Sequence, residues 1–220
     1  MRPLVALVKS SDHYQGVRDS LRPLRNHIKL ALSKISYVII KINLVITRTP
    51  AYNKGVELAT TPLEADFLVS IVRPKTHCSV GVTAGIKNVL VGAIQKYSMR
   101  KKIHRGIHIH GIMASIADFV YPHFTIVDGT VGMQEGGPVR GKEIRAGWSV
   151  SSFDALAADS LATFLMGFDV HDIGYLNLIR DKNMGFIYPG DDIEIICEKP
   201  ENLVTPFKPH RNFKKVRLWR

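Results

Sequence analysis

An α/β domain, with a mostly parallel or mixed sheet flanked by helices, is predicted by three features of the 220-residue sequence. Short β-branched runs alternate with amphipathic segments, polar residues gather just after those runs, and 45% hydrophobic content is enough for one core. A single domain spanning 1–220 follows from the length.

Residues 4–8 (LVALV) form an apolar run followed by Ser10, Ser11 and Asp12. Val17, Leu21, Leu24, Ile28 and Leu32 then recur at helical spacing, so the order is strand, then helix. Residues 37–43 (YVIIKIN) are nearly continuous in apolar character, as in a strand buried on both faces, and 67–72 (FLVSIV) repeat the pattern. Residues 123–127 (HFTIV) and 148–152 (WSVSS) predict two more strands, and 193–197 (IEIIC) a last one. Residues 154–166 (DALAADSLATFLM) predict a helix with Asp154 as its N-cap. The Gly-rich piece 128–141 reads as a loop, with Glu135-Gly-Gly-Pro138 as a turn whose glutamate is either solvated or aimed into the crevice.

Thirty Lys and Arg against nineteen Asp and Glu give a formal charge of +11, which favours an anionic partner. Much of the excess lies in 96–105 (KYSMRKKIHR) and 208–220 (KPHRNFKKVRLWR), which read as solvated surface and a frayed end. Nucleic acid is disfavoured as a partner, because aromatic residues are only 8% and no recognition motif is present. No stretch approaches the ~18–20 apolar residues of a membrane span, and the apolar part of MRPLVALVKSSD is too short for a signal peptide. A cytoplasmic protein with no membrane partner is expected. Two cysteines, Cys78 and Cys197, cannot hold an all-cysteine iron–sulfur cluster, so any cluster must belong to a partner.

In a parallel sheet the ligand crevice lies beyond the carboxyl ends of the strands. Lys41 and Asn43 close one strand, Lys75 and His77 follow another, and Asp128 follows a third. His77 begins RPKTHCSVGVTAGIKN, in which Gly81, Thr83, Gly85, Lys87 and Asn88 follow, and glycines there let backbone amides approach an anion. A helix predicted to begin near Gly85 adds its N-terminal dipole. His77 and Lys87 are therefore the candidate catalytic pair, and Lys41, Asn43, Lys75, Gly81, Thr83, Gly85, Asn88 and Asp128 the candidate ligand-binding residues. His104, His108 and His110 cluster farther on. His104 and His108 are candidate metal ligands, and an extended segment would put His108 and His110 on one side. The loop lacks the Gly-Lys-Ser/Thr of a Walker loop, which argues against a nucleotide triphosphatase.

The blocks VIIKINLV, ADFLVSIVRPKTHCSVGVTAGIKNVLVG, IVDGTVGMQEGGPVRG, SFDALAADSLATFLMG and IGYLNLIRDKNMGFIYPGDDIEI resemble the domain of unknown function 362 family over nearly the whole chain. The stretch between Asn43 and Asp66 is shorter than that family's usual one. Some members carry a ferredoxin-like segment. The resemblance therefore also implies an electron-transfer or assembly accessory that docks a ferredoxin-like protein through Lys101 and Arg105. At loop level, His77, Gly81, Thr83, Gly85 and Lys87 are similar to the lactate racemase family. That likeness implies a nickel-containing nucleotide contacted by Lys87, proton transfer by His77 next to a carboxylate, and nickel ligation by a later histidine such as His104.

Overall fold

The structure is a computed structural model and describes residues 2–41, 50–53, 56–105 and 108–219. Its main sheet takes all six strands expected from the sequence: β1 (Leu4–Lys9), β2 (Val38–Lys41), β5 (Phe67–Val72), β8 (Phe124–Asp128), β11 (Trp148–Ser152) and β12 (Glu194–Cys197). The strand order is β12-β1-β11-β8-β5-β2. All neighbours run parallel except β11, which is antiparallel to both β1 and β8. The fold is α/β with a mixed sheet.

One face of the sheet carries α1 (His13–Leu21) and α2 (Arg25–Leu32), whose apolar side chains join Ala6, Phe67, Phe124 and Ile126. The sequence periodicity of 17–32 spans both helices, but Pro23 sits in a 3-10 turn, Arg22–Leu24, that divides them. Proline has no N–H to continue an α-helical ladder. Asp12 caps α1 by accepting from the Gln15 amide at 2.9 Å.

The opposite face carries the larger core, built by α4 (Gly85–Gly92), α6 (Ile109–Ile116), α7 (Ala155–Leu165) and α8 (Gly174–Arg180). Helix α7 begins where the sequence places it, with the Asp154 carboxylate accepting from the Ala157 amide at 2.8 Å. Ten of its eleven residues are buried. Helix α3 (Thr60–Leu63) follows the hairpin β3 (Pro50–Asn53) and β4 (Val56–Ala59), and α5 (Tyr97–Arg105) precedes α6. Among the described residues, no helix is long and apolar enough to cross a membrane.

One expectation is corrected here. Strand β2 lies at the sheet edge, and Val38 and Ile40 are exposed, so it is buried on one face rather than two.

A small second sheet, β10-β9-β6-β7, carries the loop singled out by sequence. It consists of β6 (Lys75–His77), β7 (Gly81–Thr83), β9 (Gly132–Gln134) and β10 (Lys142–Ile144). Three-residue strands are too short to leave a period-2 signature, which is why the sequence reads this region as loop.

Candidate anion site

Strands β6 and β7 form a hairpin in which His77 faces Gly81 across a three-residue turn, 78–80. Gly81 has φ +80°, the left-handed conformation that such a turn requires of its closing residue. A Cβ there would also lie 2.7 Å from Ile173 Cδ1 and 3.0 Å from a Phe213 ring carbon. The hairpin then feeds α4, which lies so close to β8 that a Cβ on Gly85 would sit 2.3 Å from Thr125 Cγ2.

The first two amides of α4 are already used. The fully buried Asp159, reaching from α7, accepts from Gly85 N–H at 2.7 Å and Ile86 N–H at 2.9 Å. An internal carboxyl therefore occupies the positive end of the helix dipole, and the Gly85 and Ile86 amides are engaged by it. Burial drives the Asp159 pKa up to about 7 against the lowering effect of the two amides. Asn88 is likewise structural, since its Nδ2 donates to the Lys41 carbonyl and the Ser70 hydroxyl, both at 3.2 Å. At the far end of α4, buried Arg100 donates Nε to the Ile94 carbonyl at 2.7 Å and Nη2 to the Gly92 carbonyl at 3.3 Å, compensating the negative end.

Three imidazoles surround the turn, each in a defined tautomer. His77 is fully buried and its Nδ1 accepts from the Ser79 amide at 3.1 Å, so the neutral ring carries its proton on Nε2, where it finds no partner among the described residues. His104 lies 5.2 Å from His77 between ring centroids, and its Nδ1 donates to the Arg100 carbonyl at 2.6 Å. A carbonyl can only accept, so the His104 lone pair is on Nε2. His110 Nδ1 accepts from the Tyr175 amide at 3.0 Å. All three pKa values are lowered, chiefly by burial. Lys87 lowers His77 and His104 further, and His110 falls to about 4.

Lys87 is buried, and burial lowers its pKa to about 8, with further lowering by Lys75 and Arg100 and an opposing effect of Cys78. No carboxylate is among the charges that act on it, and Cys78 is the one group that favours its charged form among the described residues. Lys41 is also lowered to about 8, by burial and then by Arg100, and Lys75 is lowered by burial and Arg73. Lys75, Lys87 and Arg100 are thus partly desolvated and act on one another at Lys87, while Lys41 lies at the far end of α4 beside Gly92.

A cavity of about 260 Å³ opens beside this group. Cys78, Ser79, His104, Ile109 and His110 line one side, and residues of the 212–219 segment line the other. Among the described residues no carboxylate lines it. His77 and Lys87 are not on its wall. Lys87 is nevertheless within electrostatic reach of the wall residues Cys78 and His104.

The candidates from sequence therefore divide. His77, Lys87, Lys75 and His104 share one electrostatic neighbourhood, joined by His210, which no sequence pattern marked. Gly81 and Gly85 serve chain geometry, and Thr83 is buried with its hydroxyl unpartnered. Asp128 is elsewhere: it pairs with His13 at 2.5 Å and accepts from the Thr130 amide at 3.0 Å. Asn43 lies outside the described residues.

His108 and His110 are not extended. His108 sits at the N-cap position of α6 and is exposed, while His110 is two residues on, about 200° around the helix, and buried. Among the described residues no group of three or more His, Cys, Asp or Glu side chains is placed to hold a metal ion. Lys101 and Lys102 are exposed on α5. Glu135 turns outward to Lys142 at 3.0 Å and Lys208 at 3.6 Å rather than into the cavity.

The buried state of His110 has a measurable consequence. A pKa depressed from 6.5 to about 4 stabilises the fold above pH 6.5 and loses that contribution as pH falls through 4. His110→Gln, which does not titrate, is expected to keep on the order of 3 kcal/mol that the parent chain loses over this range. Urea unfolding at pH 7 and pH 4.5 checks it; equal acid sensitivity of the two proteins would contradict the assignment.

No curated protein and no solved structure matches the chain. A family does match, over residues 37–164, a span that runs from the edge strand β2 to helix α7 and contains Lys41, the His77 hairpin, Lys87, His104, Asp128 and Asp159. On this match over more than half its length, the chain belongs to the family described as Domain of unknown function (DUF362).

Proposed function

We propose that the chain binds a small anion, a carboxylate or an inorganic oxyanion, in the cavity beside residues 77–79, and that His104 moves a proton on that ligand. The observation that carries this reading is Lys87: a lysine only 9% exposed on which, among the described residues, no carboxylate charge acts. Charges buried without a partner are costly and collect at functional sites. At an effective dielectric of about 20, a unit anion roughly 6 Å from an ammonium gains on the order of 3 kcal/mol, so direct contact is not required.

His104 supports the chemical part of the reading. It lines the cavity, is held neutral by burial and Lys87, and its Nδ1–H bond to the Arg100 carbonyl leaves the Nε2 lone pair for a ligand proton. The sealed His77 acts as a neighbour rather than as the base. A nickel-containing nucleotide does not fit this arrangement. The Gly85 and Ile86 amides that would cradle its phosphates are held by Asp159, and about 260 Å³ is below the ~300–1,000 Å³ of pockets for larger ligands.

Titration calorimetry at low ionic strength with inorganic phosphate, sulfate and lactate tests the reading. At least one of these is expected to bind the parent chain, and to bind Lys87→Met tenfold or more weakly. His104→Gln is expected to retain binding while abolishing any exchange of ligand C–H protons with D2O. Failure of all three anions to bind, or equal affinity for Lys87→Met, would overturn the proposal.

A further inference from the structure

The segment expected to be a frayed basic end is folded over the cavity. Helix α9 (Phe213–Val216) sets Phe213 and Val216 against Gly81 and Ile173, and the Trp219 ring lies on Gly174 beside His110. Asn212, Lys215, Val216, Leu218 and Trp219 form one whole side of the cavity wall.

The attachment of this segment changes abruptly at Lys208. Up to that point the backbone is tied down: Phe207 N–H donates to the Met166 carbonyl at 2.8 Å, and the Lys208 carbonyl accepts from Glu135 N–H at 2.9 Å. Among the described residues, the backbone–backbone hydrogen bonds of 209–219 all lie within the segment itself. Its other ties include an exposed Arg217–Asp172 ion pair at 2.9 Å, the Trp219 indole N–H donating to the His171 carbonyl at 3.1 Å, and apolar contacts such as that of Phe213 with Phe168.

Charge acts against those ties. Residues 209–219 include Arg211, Lys214, Lys215 and Arg217 and no acidic residue, and they close on a site that holds Lys75, Lys87 and Arg100. His210 of the segment is close enough to disfavour a charge on His77. The apolar contacts, the ion pair and the indole hydrogen bond thus act against like charge on the two sides of the cavity, and an anion between them relieves that repulsion.

We propose that residues 209–219 are an anion-gated lid, in which Lys215 supplies the outer charge of the site and a bound anion holds the segment closed. The inference rests on the anion-site reading above. It makes the cavity a two-sided site: Lys87 acts from the side of Cys78 and His104 and Lys215 from the lid, and ligand exchange requires residues 209–219 to swing about the anchored Phe207 and Lys208.

Limited trypsin digestion of the full chain, followed by mass spectrometry, tests it, because Arg211, Lys214, Lys215 and Arg217 are all trypsin sites within the segment. Inorganic phosphate at constant ionic strength, with its binding measured in parallel by calorimetry, is the probe. Phosphate is expected to slow cleavage within 209–219 at least tenfold in the parent chain and to have no effect in Lys87→Met. Lys215→Ala is expected to bind phosphate several-fold more weakly and to need correspondingly more of it for protection at the remaining sites. Binding without protection, or unchanged phosphate affinity in Lys215→Ala, would overturn the lid and leave the anion site standing. Absence of phosphate binding in the parent chain would overturn both.

Discussion

Lys87→Met is expected to be more stable than the parent chain by about 3 kcal/mol at pH 7, while losing its anion affinity. The ammonium is held near pKa 8 in the folded protein against 10.5 when solvated, and methionine fills nearly the same volume without a charge to desolvate. Because the folded pKa is depressed, the unfolded chain binds more protons between pH 8 and 10.5. The stability lost to Lys87 is therefore recovered as pH rises through that window. The gap between the two proteins should shrink above pH 8 and close near pH 10.5. Lys41 has a similarly depressed pKa but is present in both proteins, so it cancels in the comparison. Urea unfolding at pH 7, 9 and 10.5 measures the gap; a variant less stable than its parent at pH 7 would show that Lys87 has a stabilising partner.

Asp159→Ala is expected to have the opposite effect, destabilising the fold by about 3 kcal/mol, because two buried amides at the start of α4 lose the acceptor they share. For a domain of this size that corresponds to a melting temperature lower by roughly 6–12 °C. Asp159→Asn keeps one acceptor oxygen and isolates the titration. The folded carboxyl titrates near 7 rather than 3.8, so its favourable contribution is complete below pH 3.8 and is lost as pH rises through 7. Relative to Asp159→Asn, the parent chain should lose stability across that interval. A difference independent of pH would mean that the carboxylate is ionised throughout, and that the amides rather than burial set its pKa.

Wherever runs were long, the fold was legible. All six main-sheet strands and the Asp154 cap of α7 follow from apolar runs and cap chemistry. The antiparallel sense of β11 did not, because Trp148 to Ser152 reads the same in either direction and the long-range pairings to β1 and β8 decide it. The histidines failed for a local reason. IHIH alternates like a strand, but the apolar residues Ile109, Met113 and Ile116 turn the segment into a helix.

Asp159 carried a signal that could have been read. A carboxylate inside DALAADSLATFL, on a helix apolar around its whole circumference, must enter the core and therefore must find donors there. The role of residues 209–219 was hidden by charge. Phe213, Val216 and Trp219 recur every three residues between the basic side chains, which is the pattern of a short amphipathic helix, but nothing local shows what that helix covers.

The ammonium of Lys87 is the most direct point of attack. In protein carrying 13C- and 15N-labelled lysine, its NMR titration is expected to have a midpoint near pH 8 without added anion, rising by about one unit or more with saturating phosphate. A midpoint near 10.5 in the free protein, or one that phosphate leaves in place, would contradict the account.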